Sequence, residues 1–252
     1  MNSSVWKKTI PFFLILCLWE ATARFGGWSS QVFPGPSKVA IGMWELIENG
    51  TLLKHAVASL FRVTAGFYLA MLFGIPLGMI LGRWRSAGFF LDPLIQFLRP
   101  ISPLAWIPLA MLWFGIGDPP AVFLIFLSSF FPLAVATTAA VSAINPVYFH
   151  VAANFNFSRY EVMTKIIIPG MLPSVITAIR ITVTIAWLVV VAAEMIAVTS
   201  GLGYLILDSR NALRMDYVMD GMIVIGFIGL FLDYVMMQLS KIESIFWGTR
   251  SR

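Results

Sequence analysis

Residues 151–169 read VAANFNFSRYEVMTKIIIP. This half-polar segment, with Asn154, Asn156, Ser158, Arg159, Glu161 and Lys165, lies between two long apolar runs. No charged side chain occurs from Pro119 to Phe149, and from Met171 to Val198 only Arg180 and Glu194 are charged. Asn145-Pro146 is a helix start: asparagine caps free amides, and proline suits the first helical position. A short helix over about 146–155 is expected. Ser158-Arg-Tyr-Glu161 matches a capping box and opens a second helix, about 159–168, ended by Pro169-Gly170. Val147, Val151, Phe155, Tyr160, Met163 and Ile167 recur at helical spacing. On the residues alone the segment is either an interfacial amphipathic loop or a docking site for a partner. Its charges are mixed in sign, which favours a protein over lipid headgroups.

The flanking runs place the chain in a membrane. Hydrophobic residues make up 59% of the sequence and charged residues 12%, against about 25% charged in soluble domains; mean hydropathy is +0.87. A crossing helix needs roughly 20 mostly apolar residues. Six candidates fit: 9–24, 60–82, 100–117, 121–144, 172–198 and 218–240. The expected fold is an all-α membrane protein of six transmembrane helices in one domain, 1–252. The third span contains Pro100, Pro103 and Pro108 and is expected to be kinked or broken. Pro119-Pro120 after Asp118 marks a tight hairpin into the fourth. With the N-terminus in the cytoplasm, ten of the 17 Lys and Arg residues, Arg99 among them, fall inside and five outside. That asymmetry places both termini in the cytoplasm, and with them the 151–169 segment, between spans four and five.

The first span resembles a signal peptide, with Lys7-Lys8 ahead of an apolar core and Ala21-Thr22-Ala23 as a small-residue site. Glu20 is unusual before a cleavage site, and the span is expected to be retained. Cys17 is the one cysteine, which excludes an intramolecular disulfide or a cysteine-based zinc site. The net charge of +5 has no basic cluster longer than Lys7-Lys8, so no nucleic-acid partner is implied. His55 and His150 give no metal-binding or haem-ligating pair.

Ionisable groups inside spans are functional candidates. Glu194, Arg62 and Arg180 are candidates for the translocation path, set against a structural hydrogen-bonding role or pairing at an interface; Asp233 is the fourth such group. Gly201, Gly203 and Asp208-Ser209-Arg210-Asn211 suggest a structured, re-entrant outer loop.

The 151–169 segment resembles the coupling motif of ABC-transporter permeases, the inner-membrane components of binding-protein-dependent importers. That motif runs Glu-Ala-Ala, glycine four residues on, then isoleucine two residues before proline. Val151-Ala152-Ala153, Phe157, Ile167 and Pro169 occupy its positions, and Val151 and Phe157 depart from it. The glycine position favours a left-handed backbone, costly for phenylalanine by about 1 kcal/mol or more; the turn is therefore expected at Asn156 or in another geometry. SLFRVTAGF (59–67), PLAWIPLAMLWFGIGD (103–118), LPSVITAIRI (172–181), AWLVVVAAEMI (186–196) and GLGYLILDSRN (201–211) are similar to the nitrate, sulfonate, taurine and bicarbonate group of these permeases, over roughly 30–240.

The resemblance implies a type I ABC importer permease in a bacterial inner membrane, with a second permease subunit (a homodimer), two ABC ATPase subunits and an extracytoplasmic solute-binding protein. It makes the segment a coupling helix, with Ala152, Ala153, Phe155, Phe157, Ser158, Arg159 and Glu161 as contacts. No G-x-x-x-x-G-K-[ST] sequence is present, so ATP and Mg would belong to the partner ATPase. A stand-alone secondary transporter or channel is the alternative; six spans without an evident repeat or an acidic relay disfavour it.

Overall fold

Gly66, Ala70, Gly74, Gly78 and Gly82 recur every fourth residue, one narrow face of a helix. Such a stripe lets two helix backbones approach closely where lipid gives little hydrophobic drive to packing. The computed structural model, which describes residues 3–29 and 31–246, shows that approach. Helix α3 (Thr51–Arg83) runs parallel to α6 (Asp118–Ser142) along the stripe. A Cβ at Gly66 would stand 2.7 Å from Cβ of Ile125, and one at Gly82 2.7 Å from Cβ of Val141. Thr138 donates to the Gly78 carbonyl across the pair at 3.3 Å. Helix α9 (Ile168–Ala197) packs on the same core through Val183, Ala186 and Val190, alongside Val63, Phe67, Ile125 and Leu133.

Four helices are long and apolar enough to cross a membrane among the described residues: α3, α6, the continuous helix Arg159–Ala197, and Met215–Gln238 within α11 (Met215–Phe246). They answer to spans two, four, five and six. The third expected span is broken, as its prolines implied, but it begins earlier than the sequence suggested. Helix α4 (Arg85–Leu98) stops at Arg99, and a 3₁₀ turn (Pro103–Trp106) leads into α5 (Ile107–Phe114). The two halves meet at 85°. Pro100 and Pro103 remove backbone donors, and Ser102, before Pro103, is held extended at ψ 131°, which explains the break. The loop into α6 is only Gly115–Gly117, both glycines at positive φ (78° and 138°), with Pro119-Pro120 in the first turn of α6.

The expected first crossing lies in α1 (Ser3–Phe25), which is not among those four. Its run free of charge, 9–19, has eleven residues, short of the roughly 20 of a full span. It leans on α2 (Pro36–Glu48) through Glu20, which accepts from Ser37 at 2.9 Å.

The expected stop at Pro169-Gly170 is also corrected. Helix α7 (Pro146–Asn154) and α8 (Arg159–Val162) form as anticipated, but α8 flows through a π-helical turn (Met163–Ile167) straight into α9. There the Ile168 N–H bonds to the Met163 carbonyl, five residues back. The wider turn absorbs Pro169, whose missing N–H would interrupt a regular helix. After α9, the ten-residue α10 (Leu202–Asn211) packs beneath α11. The end where α3 and α6 begin and α9 finishes is called the Asp118 end below; the opposite one is the Asn145 end.

Candidate functional site

At the Asn145 end Asn145, Ser158, Glu161 and Lys165 spend their polar groups locally. Asn145 Oδ1 accepts from the Val147 N–H at 2.9 Å. The Ser158–Glu161 capping box closes in both directions, at 2.9 and 3.2 Å, and Lys165 pairs with Glu161 at 2.8 Å while lying over the Phe157 ring. Helix α7 ends in a Schellman turn: the Phe157 N–H reaches the Ala152 carbonyl and the Asn156 N–H the Ala153 carbonyl. The left-handed residue is Asn156, at φ 53°. Phenylalanine at the motif's glycine position is thus accommodated by moving the turn one residue earlier.

Asn154, Asn156 and Arg159 stay exposed, but the largest exposed side chains on this end are apolar. Phe155 is 73% and Tyr160 76% exposed, and Val147, Tyr148 and Val151 are exposed beside them. Ala153, Ser158 and Arg159 are exposed as well, Phe157 and Glu161 are half-buried, and Ala152 is buried. The surface is therefore a mainly hydrophobic ridge on a frame held by its own capping bonds, with Arg159 exposed beside it. Beneath it, Ile167, Met171 and Val175 pack against Ala140 and Val141, so the ridge is fixed to the feet of α6 and α9.

At the Asp118 end the charges do the reverse. Arg62 is 2% and Glu194 0% exposed, 2.6 Å apart. Arg62 also reaches Asp118 at 2.7 Å, the Ser200 carbonyl at 2.8 Å and the Ser200 hydroxyl. Glu194 accepts from the Ser59 hydroxyl at 2.8 Å and the Gly203 N–H at 3.0 Å. The first amides of α10 are completed by His55 Nδ1, accepting from Gly201 at 2.9 Å, and by Ser59 Oγ, accepting from Leu202 at 2.9 Å. Orphan donors at a helix N-terminus are thereby met by side chains, one of them a carboxylate that suits the dipole. Gly201, at φ 105°, sits so close to this cluster that a Cβ would strike the Arg62 guanidinium. Four helices and the 198–201 connection are tied together here.

Arg180 and Asp233 form a two-pronged pair at 3.0 and 3.2 Å between α9 and α11, both partly exposed. The structure therefore brings Arg62 and Glu194 together in an enclosed cluster and gives Arg180 a separate partner. Sequence reading passed over Asp216 and Asp220, both buried in α11; neither oxygen of Asp220 has a hydrogen-bond partner. Arg214 bonds Asp216 at 2.8 Å and Glu45 of α2 at 3.1 Å. Asp216, in the first turn of α11, fell among expected loop charges ahead of the sixth span, whereas Asp220 lay just inside that span and was passed over.

A family model described as the binding-protein-dependent transport system inner membrane component matches residues 74–242. A putative ABC transporter permease of Methanocaldococcus jannaschii is 40% identical over 75% of this chain and 71% of its own length. The taurine transport system permease TauC of Escherichia coli is 34% identical over 90% and 85%, and the bicarbonate transport system permease CmpB of Synechococcus elongatus 33% identical over 90% and 84%. Among solved structures, an inward-facing MetNI methionine ABC transporter chain superposes with a TM-score of 0.67 at 14% identity, over 78% of this chain and 97% of that one.

Proposed function

Because this chain belongs to the family of inner-membrane components of binding-protein-dependent transport systems, and is a multi-pass membrane permease of the ABC class, we propose that it imports a small oxyanion, driven by ATP hydrolysis on separate ATPase subunits. The observation that carries this reading is the ridge at the Asn145 end. A segment that closes its capping box on itself yet leaves Phe155 and Tyr160 uncovered has much to gain from a protein cleft. Ala153, Phe155, Phe157, Ser158, Arg159 and Glu161 form the ATPase contact in this reading, with buried Ala152 holding α7 down from beneath. Closure of two ATPases, each with its own ATP and Mg, pulls the ridge; α9, rigidly continuous with α8, carries the movement across the membrane.

Six crossings with both termini in the cytoplasm complete the topology. The 23 residues of α1 reach about 34 Å at 1.5 Å per residue, its Phe13, Leu14, Ile15 and Leu18 are exposed as lipid contact requires, and Arg24 in its last turn is placed as an interfacial anchor. A second copy of the chain and an extracytoplasmic binding protein complete the assembly. The oxyanion follows from what the relatives named for taurine, aliphatic sulfonates and bicarbonate share. Arg62 and Glu194 lock the Asp118 end in this reading and do not face the solute.

The test is purification of the tagged chain from its native membrane, followed by uptake in proteoliposomes. An ATPase subunit should co-purify, and uptake should collapse when that subunit's catalytic glutamate is replaced. Uptake by the chain alone, indifferent to ATP, would establish a stand-alone carrier.

A further inference from the structure

Arginines at span depth in this chain come with carboxylates: Arg62 with Glu194 and Asp118, Arg180 with Asp233. Arg99 does not. Its guanidinium has no ion pair, hydrogen bond or ring partner among the described residues, and it stands at the break between α4 and α5. There it lines a cavity of about 200 Å³ with Trp106, Ser128, Phe131, Ile185 and Val189. Ser128 lies ten residues into the 25-residue α6, and Ile185 twelve residues short of the end of α9. At 1.5 Å per residue that is about 15–18 Å below the Asp118 end, near the middle of a hydrocarbon core of about 30 Å. The basic-residue count had assigned Arg99 to the cytoplasmic side; the fold carries it inward because α4 climbs from the Asn145 end before it breaks.

Arg99 is exposed on the single protomer, and an unpaired guanidinium exposed at such depth is costly against lipid and marks a group that faces a pathway. No carboxylate lines this cavity; Arg99 also borders a second cavity of about 410 Å³ whose lining includes Asp92 and Gln96, with neither of which it bonds. The indole N–H of Trp106, a donor only, makes no hydrogen bond among the described residues, whereas Ser128 spends its hydroxyl on the Ile125 carbonyl at 2.8 Å. One cation and one free donor, set in apolar walls at a helix break, suit a planar or tetrahedral oxyanion held weakly enough to leave again. We infer that Arg99, with Trp106, forms an intermediate contact for the oxyanion group of the solute where the α4–α5 break meets α6 and α9. The inference rests on the importer reading above and names the residue that would meet the solute within it.

Two arms test it. In a Cys17→Ser background, Ser128→Cys places a thiol in the cavity of the assembled transporter. The rate of modification by an anionic methanethiosulfonate relative to a cationic one should fall about tenfold when Arg99 becomes Gln and be kept in Arg99→Lys, since a focused local charge scales encounter by such factors. A ratio indifferent to Arg99→Gln, or a thiol that neither reagent reaches, would overturn the inference, and a purely structural role at the end of α4 would not move the ratio. The second arm is ATP-driven uptake of taurine, ethanesulfonate and bicarbonate by the complex with its binding protein. Arg99→Gln should lower uptake about tenfold, the loss of one charge-assisted contact, while binding-protein-stimulated ATPase activity persists; Arg99→Lys should recover most of it. Wild-type uptake matched by Arg99→Gln removes Arg99 from the path and leaves the importer standing. A wild-type complex that imports none of the three removes the oxyanion reading itself, and the thiol arm still decides whether the cavity senses Arg99.

Discussion

The two ends of this molecule handle polarity in opposite ways. At the Asp118 end, charges are paired across helices far apart in sequence: Ser59 and Arg62 with Glu194, all buried, and Arg62 with Asp118 at the rim. At the Asn145 end, every bond of the capping box lies within seven residues, and it is the hydrophobic side chains that find no cover. Buried charges that satisfy one another point to structure, because little is left to offer a ligand. Exposed aromatics on a self-satisfied frame point to a missing partner. The same rule, turned on Arg99, separates a pathway cation from the structural arginines.

The largest effect should come from breaking the buried pair. Glu194→Ala leaves Arg62 with Asp118 as its one carboxylate and strands the Gly203 amide, and removal of one partner of a buried pair costs about 3–5 kcal/mol; little folded protein should survive detergent extraction and thermal challenge. The double change Arg62→Met with Glu194→Met should recover part of that loss by removing the stranded charge. Next comes the glycine stripe. Gly78→Leu drives a side chain into the Ala134 carbonyl and Thr137, and overpacking of this kind costs about 1–3 kcal/mol, read as a lower thermal midpoint.

At the Asn145 end the stability effects should be smaller. Asn156→Ala must hold a positive φ and should lose about 1 kcal/mol, whereas Asn156→Gly should be close to neutral. The smallest effect concerns the α2–α11 clasp. Donation by the Tyr217 hydroxyl, and then by Arg214, holds Glu45 below the usual carboxylate range. A lowered folded-state pKa contributes stability that is present above the unfolded value and lost as pH falls through the folded one. Glu45→Gln should therefore lower the midpoint slightly at neutral pH, and the difference from wild type should vanish on acidification well below pH 4.5, the ordinary glutamate value.

These ends also differ in how much the sequence disclosed. Asn145-Pro146, Ser158–Glu161 and the turn at Asn156 were legible because each is a contract between neighbours in the chain. The break in the third span was legible in Pro100 and Pro103. Arg62 and Glu194, 132 residues apart, could be named only singly, since nothing local says that α3 and the end of α9 meet. Gly66 through Gly82 declared one half of a packing face, but Ile125 and Val141 opposite carry no matching sign. The π-helical turn was hidden because Pro169-Gly170 reads as a stop unless the helix before it is allowed to widen. Arg99 looked like an ordinary flanking charge until α4 was seen to rise into the bundle.

The most direct test of the account is ATP-driven uptake and ATPase activity of the assembled complex carrying Phe155→Ala, with membrane insertion and thermal midpoint measured on the same sample. Phe155 is 73% exposed, so its loss should leave insertion and midpoint unchanged while uptake falls about tenfold, the scale of one aromatic anchor removed from an interface. Unchanged uptake in both Phe155→Ala and Arg159→Ala would contradict the account and make the 146–162 segment an interfacial loop.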